Sequence, residues 1–131
     1  MGAPGPRGLT LDTGALVAFE RGDSRVRALL RAALVSGVDV AIPAGALAQA
    51  WRDGSRQARL GALVADPFTR TEPLTEVVAR AAGVLCGRAG TSDVVDASVV
   101  LCARSQGDSL VVTSDADDLG LLDPQLRIVA V

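Results

Sequence analysis

Apolar and polar positions along the chain follow two periods, and the switches between them divide it into elements. Leu9-Thr10-Leu11 is a short strand run ending at Asp12, and Gly14 to Phe19 reads as a brief helix. From Arg25 to Val35 the apolar positions Val26, Leu29, Leu30, Ala33 and Leu34 recur at helical spacing. Arg25, Arg27 and Arg31 lie outside that stripe, Ser24 is the candidate N-cap, and Ser36-Gly37 stops the helix. Val38 to Ile42 reads as a second strand, and Pro43 opens a helix through Leu47 to Arg52. Gly54 interrupts it, Ser55 to Ala65 is a further short helical segment, and Pro67 to Thr71 is a weak third strand. Thr75 caps a helix from Glu76 to Arg88 that Gly90 closes. Asp93 to Arg104 is a helix apolar on nearly all sides. Ser109 to Thr113 is a fourth strand leading to Ser114-Asp115, Asp117 to Leu122 a helical turn, and Arg127 to Val131 a last strand.

Strands and helices alternate throughout, which predicts an α/β fold of three layers, with a mainly parallel sheet covered by helices on both faces. Residues 1 to 8, with three Gly and two Pro, read as a disordered lead-in, and residues 9 to 131 as a single domain. At 131 residues such a domain buries roughly two-thirds of its unfolded surface.

Composition narrows the chemistry. Hydrophobic residues make up 49% of the chain but aromatic residues only 2%, so the core must be built from Val, Leu and Ala. No apolar run approaches the about 18 residues needed to span a bilayer, and MGAPGPRG lacks the apolar centre of a secretory signal, so a cytoplasmic protein without membrane contact is expected. Histidine is absent, which removes Ser/His and Cys/His nucleophile pairs. Lysine is absent too, which disfavours Walker-type phosphate loops, Schiff-base chemistry and phospho-receiver sites. Cys86 and Cys102 sit in apolar stretches and read as small core residues. What remains reactive is carboxylate and arginine, and carboxylates without histidine favour hard, oxygen-seeking cations such as Mg²⁺ or Mn²⁺.

Two strands end in an aspartate, Asp12 and Asp115, and in an open parallel sheet ligands bind beyond the carboxyl ends of the strands. Either acid alone could simply cap the following helix; two together point to a site. Asp96 is the sharper signal, being the only charged residue between Val94 and Ala103, where an uncompensated carboxylate costs several kcal/mol. Asp93, three positions earlier on the same face, reads first as an N-cap and second as a further ligand. Asp117, a further possible ligand, and Asp118 add acids after Asp115, some of which must be solvated or cap the next turn.

These residues carry a resemblance. Leu11-Asp12-Thr13-Gly14-Ala15-Leu16, Ile42-Pro43-Ala44 with its helix, Asp96-Ala97 and Val112-Thr113-Ser114-Asp115, in this order and spacing, resemble the PIN-domain family, above all the VapC-type toxins of toxin–antitoxin pairs. The resemblance covers residues 9 to 131 and implies a PIN-like fold and a ribonuclease. By that likeness Asp12, Asp96 and Asp115 are the catalytic acids and hold one or two Mg²⁺ or Mn²⁺ ions. The family's usual second acid, a Glu in the helix after the second strand, falls on Gln49, which offers a neutral carbonyl oxygen but no charge. Asp53, one turn further, is a candidate replacement or a solvated residue beside Gly54; Thr13 and Ser114 could orient a ligand or cap helices.

The implied reaction is metal-assisted hydrolysis of RNA phosphodiesters, with Asp115 the preferred group to position the attacking water. Arg52, Arg56 and Arg59 are the candidate phosphate contacts, because they fall near one helical side, though a solvated face reads the same way. A net charge of −2 means that a local arginine patch must suffice. The resemblance also implies an antitoxin partner and a homodimer. The competing reading is a PIN-like binding module in which Gln49 has weakened cleavage while contact with an antitoxin or RNA persists.

Overall fold

Five strands form the central sheet: β1 (Gly8–Leu11), β2 (Asp39–Pro43), β3 (Thr69–Glu72), β4 (Ser109–Thr113) and β5 (Arg127–Ala130). They lie in the order β3-β2-β1-β4-β5, and every neighbouring pair is parallel. The expected mainly parallel sheet is thus wholly parallel among the residues described in this computed structural model, 6–107 and 109–131. Of the lead-in expected at residues 1 to 8, the first five lie outside the described residues. The helices are α1 (Thr13–Glu20), α2 (Ser24–Val35), α3 (Ala44–Ala50), α4 (Ala58–Ala65), α5 (Glu76–Ala89), α6 (Val94–Gln106) and α7 (Ala116–Leu122). Helix α1 packs on α2, α3 and α4; α6 packs on α5 and α7 and lies against β1, β2 and β4.

Burial explains the sequence pattern. Both faces of the parallel sheet are covered, so β1 and most of β2 are buried at successive positions instead of alternating. Leu11, Leu16, Val26, Val40, Ile42 and Val112 are fully buried in one aliphatic cluster. Each such side chain contributes about 1.5 to 3 kcal/mol relative to exposure. Cys86 and Cys102 are buried free thiols. The Cys86 thiol donates to the Asp93 carbonyl at 3.5 Å and so ties α5 to the start of α6.

Several boundaries differ from the sequence pattern, each for a local reason. Strand β1 begins at Gly8, which pairs with Asp39 and Ser109. A Cβ at position 8 would lie 2.1 Å from Gln106 Oε1, so a larger residue would displace the Gln106 side chain. The cap of α2 is Asp23, whose carboxylate accepts from the Arg25 and Val26 amides, both at 3.0 Å, and Ser24 is the first helical residue. Helix α4 starts at Ala58 because the Gln57 side chain organises the preceding turn, accepting from the Arg52 and Asp53 amides and donating to the Ala50 carbonyl. Asp66 turns the chain through its contacts with the Phe68 and Thr69 amides, which delays β3 to Thr69.

From β1 the sheet grows through β2 and β3 on one side and through β4 and β5 on the other. The order therefore reverses between β1 and β4, and in open parallel sheets ligands bind beyond the carboxyl ends of the strands at such a reversal. Asp12 follows β1 directly; Ser114 and Asp115 follow β4.

Candidate metal centre

Asp12 is 2% exposed and is the N-cap of α1. Its Oδ1 accepts from the Ala15 amide at 2.8 Å, and its Oδ2 accepts from the Thr113 hydroxyl. The capping interpretation thus holds for this acid, without consuming its charge. Burial raises its pKa above the ordinary carboxylate value; the Thr113 hydroxyl and the Ala15 amide oppose the rise, and the Asp115 carboxylate adds to it.

Asp115 stands at the N-cap position of α7 but makes no side-chain cap hydrogen bond. Asp115 is exposed, and none of the ion pairs among the described residues involves it. Its backbone N–H donates to the Thr113 hydroxyl oxygen at 2.7 Å.

Asp96 lies in the first turn of α6 and is 8% exposed. Asp93 caps that helix, its Oδ1 accepting from the Asp96 amide at 3.0 Å. The pKa of Asp96 is pushed up to about 7, first by burial, then by the negative charges of Asp93 and Asp115, a side-chain hydrogen bond with Asp93, and the charge of Asp12. The three acids are therefore close enough to feel one another, on one edge of the sheet. None of the ion pairs among the described residues involves Asp12, Asp93, Asp96 or Asp115. Asp93 and Asp96 also line a cavity of about 140 Å³ with Thr91 and Asp118.

The oxygen-only donor set and the uncompensated charge fit a hard divalent cation. Among the described residues, however, no three acidic or cysteine side chains stand together as a finished ligand set. Both Asp12 oxygens face donors within the fold, while Asp115 is exposed. Each carboxylate oxygen keeps a second lone pair, so the residues fit a cation that retains several waters, as Mg²⁺ does.

Gln49 is exposed on α3 and accepts from the Thr13 hydroxyl at 2.8 Å. The position that the resemblance assigned to the family's second acid thus meets Thr13, the residue after Asp12, with a neutral side chain. Asp53 does not take its place. Its carboxylate accepts from the Ser55 amide and hydroxyl, which lowers its pKa, and it pairs with Arg56 at 3.7 Å. Asp117 is exposed in the first turn of α7, and Asp118, not Asp117, lines the cavity beside Asp96.

The three candidate arginines do not share a helical side. Arg52 and Arg56 precede α4, and only Arg59 lies on it. Arg52 folds back on the Ala48 and Trp51 carbonyls, and Arg59 donates to the Glu20 carbonyl. Two sequence features were given no functional role: Thr113, quoted only within its motif and fully buried between Asp12 and Asp115, and the arginines of α2, read only as its polar face. Arg27 and Arg31 rim, with Arg59, an apolar groove of about 420 Å³ against Phe19, Leu34 and Val35.

The model of the PIN domain matches residues 9–121. The chain belongs to the PIN-domain family. PIN-like architecture is also shared with two solved structures. FitAB bound to IR36 DNA fragment has a TM-score of 0.66 at 18% identity, over 93% of this chain and 94% of that one. FitAcB from Neisseria gonorrhoeae has a TM-score of 0.60 at 20% identity, over 92% of this chain and 95% of that one. No curated protein matches the sequence significantly. No helix among the described residues is long and apolar enough to cross a membrane.

Proposed function

We propose that this PIN domain is a VapC-type toxin: a Mg²⁺- or Mn²⁺-dependent ribonuclease held in check by an antitoxin. The observation that carries the reading is that burial raises the pKa values of Asp12 and Asp96 at the switch point of the sheet, that the charge of Asp115 adds to both, and that none of the ion pairs among the described residues involves these acids. Folding keeps such an arrangement only at a cost in stability, and a bound cation removes that cost. Asp12, Asp96 and Asp115 would hold the cation, with the Gln49 carbonyl as a neutral contact. A divalent ion there polarises a phosphate and acidifies a bound water. Asp115, exposed and free of capping bonds, positions the attacking water, while Asp12, fixed by two hydrogen bonds, sets the frame. Arg56, with its side chain 87% exposed, and Arg52 meet RNA phosphates.

The antitoxin proposal has its own support in the groove between α1, α2 and α4. Its floor is apolar and its rim carries Arg27, Arg31 and Arg59 against Asp66 alone, which suits an amphipathic segment with acidic flanks. FitAB and FitAcB are consistent with a two-component assembly. A homodimer would use α5, where Val77 and Val84 are exposed seven residues apart.

Gln49 favours the second reading, a module with weakened cleavage. Mn²⁺-dependent cleavage of a mixed RNA pool by wild type, Asp12→Asn and Gln49→Glu separates the two. We expect wild-type cleavage that Asp12→Asn reduces about 100-fold or more. Cleavage only by Gln49→Glu would establish the weakened module, and equal cleavage by wild type and Asp12→Asn would remove the nuclease assignment.

A further inference from the structure

We infer that Thr113 is a positioning residue that couples the two strand-end acids, an inference resting on the nuclease reading above. Its side chain is completely buried at the end of β4. The single hydroxyl does two things: its hydrogen goes to Asp12 Oδ2, and its oxygen accepts the Asp115 amide at 2.7 Å. One atom therefore fixes the rotamer of the buried carboxylate after β1 and the backbone that presents the exposed carboxylate after β4.

The surroundings make this seat tight. Asp12 receives its other hydrogen bond from α1 and cannot swing without uncapping that helix. A Cβ at Gly14 would lie 1.7 Å from Ser114 Oγ, so the β4–α7 turn rests directly on the first turn of α1. The Val131 amide donates to the Thr113 carbonyl at 2.9 Å and holds the same residue from the β5 side. With the backbone pinned on both sides, the hydroxyl sets how Asp12 and Asp115 face each other. A displacement of about 1 Å between such groups is enough to cost about 100-fold in rate.

Two substitutions oppose shape to chemistry. Thr113→Val keeps volume and β-branching but deletes the hydroxyl; Thr113→Ser keeps the hydroxyl and deletes a methyl. We expect Thr113→Val to lower kcat for Mn²⁺-dependent RNA cleavage about 100-fold with a smaller change in KM, and Thr113→Ser to stay within about threefold of wild type. A purely structural role predicts the reverse ranking, because valine suits a buried strand better than serine.

The readout independent of activity is hydrogen exchange at the Asp115 amide in the metal-free protein. Protection should be lost in Thr113→Val and kept in Thr113→Ser. An Asp115 amide equally protected in Thr113→Val, or a Thr113→Val enzyme with wild-type kcat, overturns the inference. Should wild type show no Mn²⁺-dependent cleavage, the nuclease reading fails by itself, and the exchange result still decides whether Thr113 holds Asp115.

Discussion

Two polar clusters bridge β1 and β4 only a few residues apart, and they have opposite characters. Towards the amino ends of the strands, Thr10 Oγ1 and Ser109 Oγ lie 2.8 Å apart, and Gln106 donates to Thr10 Oγ1 at 2.8 Å and to the Leu9 carbonyl at 3.3 Å. That cluster is neutral and its buried hydrogen-bonding groups are satisfied. Towards the carboxyl ends, burial raises the pKa values of Asp12 and Asp96, and the charge of Asp115 adds to both. A buried network that satisfies itself stabilises a fold; one left with unbalanced charge marks a place where a partner is missing.

The contrast predicts opposite responses to substitution. Gln106→Ala leaves the Thr10 hydroxyl and the Leu9 carbonyl without their buried donor and should cost about 2 kcal/mol in denaturant unfolding, with RNA cleavage per folded molecule unchanged. Asp96→Asn should do the reverse, stabilising the metal-free protein while removing its activity. The Asp96 pKa is about 7 in the fold against 3.8 ordinarily, so ionisation is penalised in the folded state. Stability is lost as pH rises from about 4 to about 7 and stays lost above that. Asp96→Asn should therefore exceed wild type by about 1 to 2 kcal/mol at pH 8 and match it near pH 4, in urea titrations without divalent ions. A variant less stable than wild type at pH 8 would place the Asp96 charge in a satisfied network after all.

The sequence made the frame and the charged half of this contrast legible. Continuous apolar runs exposed the buried parallel strands, and a lone Asp96 in an aliphatic helix drew attention to the candidate site, because charge inside apolar sequence has few structural uses. The neutral half was harder to see. Thr10 and Ser109 read as ordinary strand residues, since their hydroxyls acquire meaning only when β1 and β4 pair in register. Long-range approach hid Gly8 and Gly14 in the same way, as each meets a side chain about a hundred residues distant. The arginines misled for a related reason: Gln57 folds residues 52 to 57 into a turn, so helical spacing did not apply there.

The central claim, that the acids at the carboxyl ends await one divalent cation, is tested most directly by calorimetric titration of Mn²⁺ into wild type and Asp96→Asn at pH 7.5. The account predicts saturable binding by wild type that Asp96→Asn weakens at least about tenfold, a loss of about 1.4 kcal/mol or more. Equal Mn²⁺ affinity in the two proteins, or none in wild type, would contradict it.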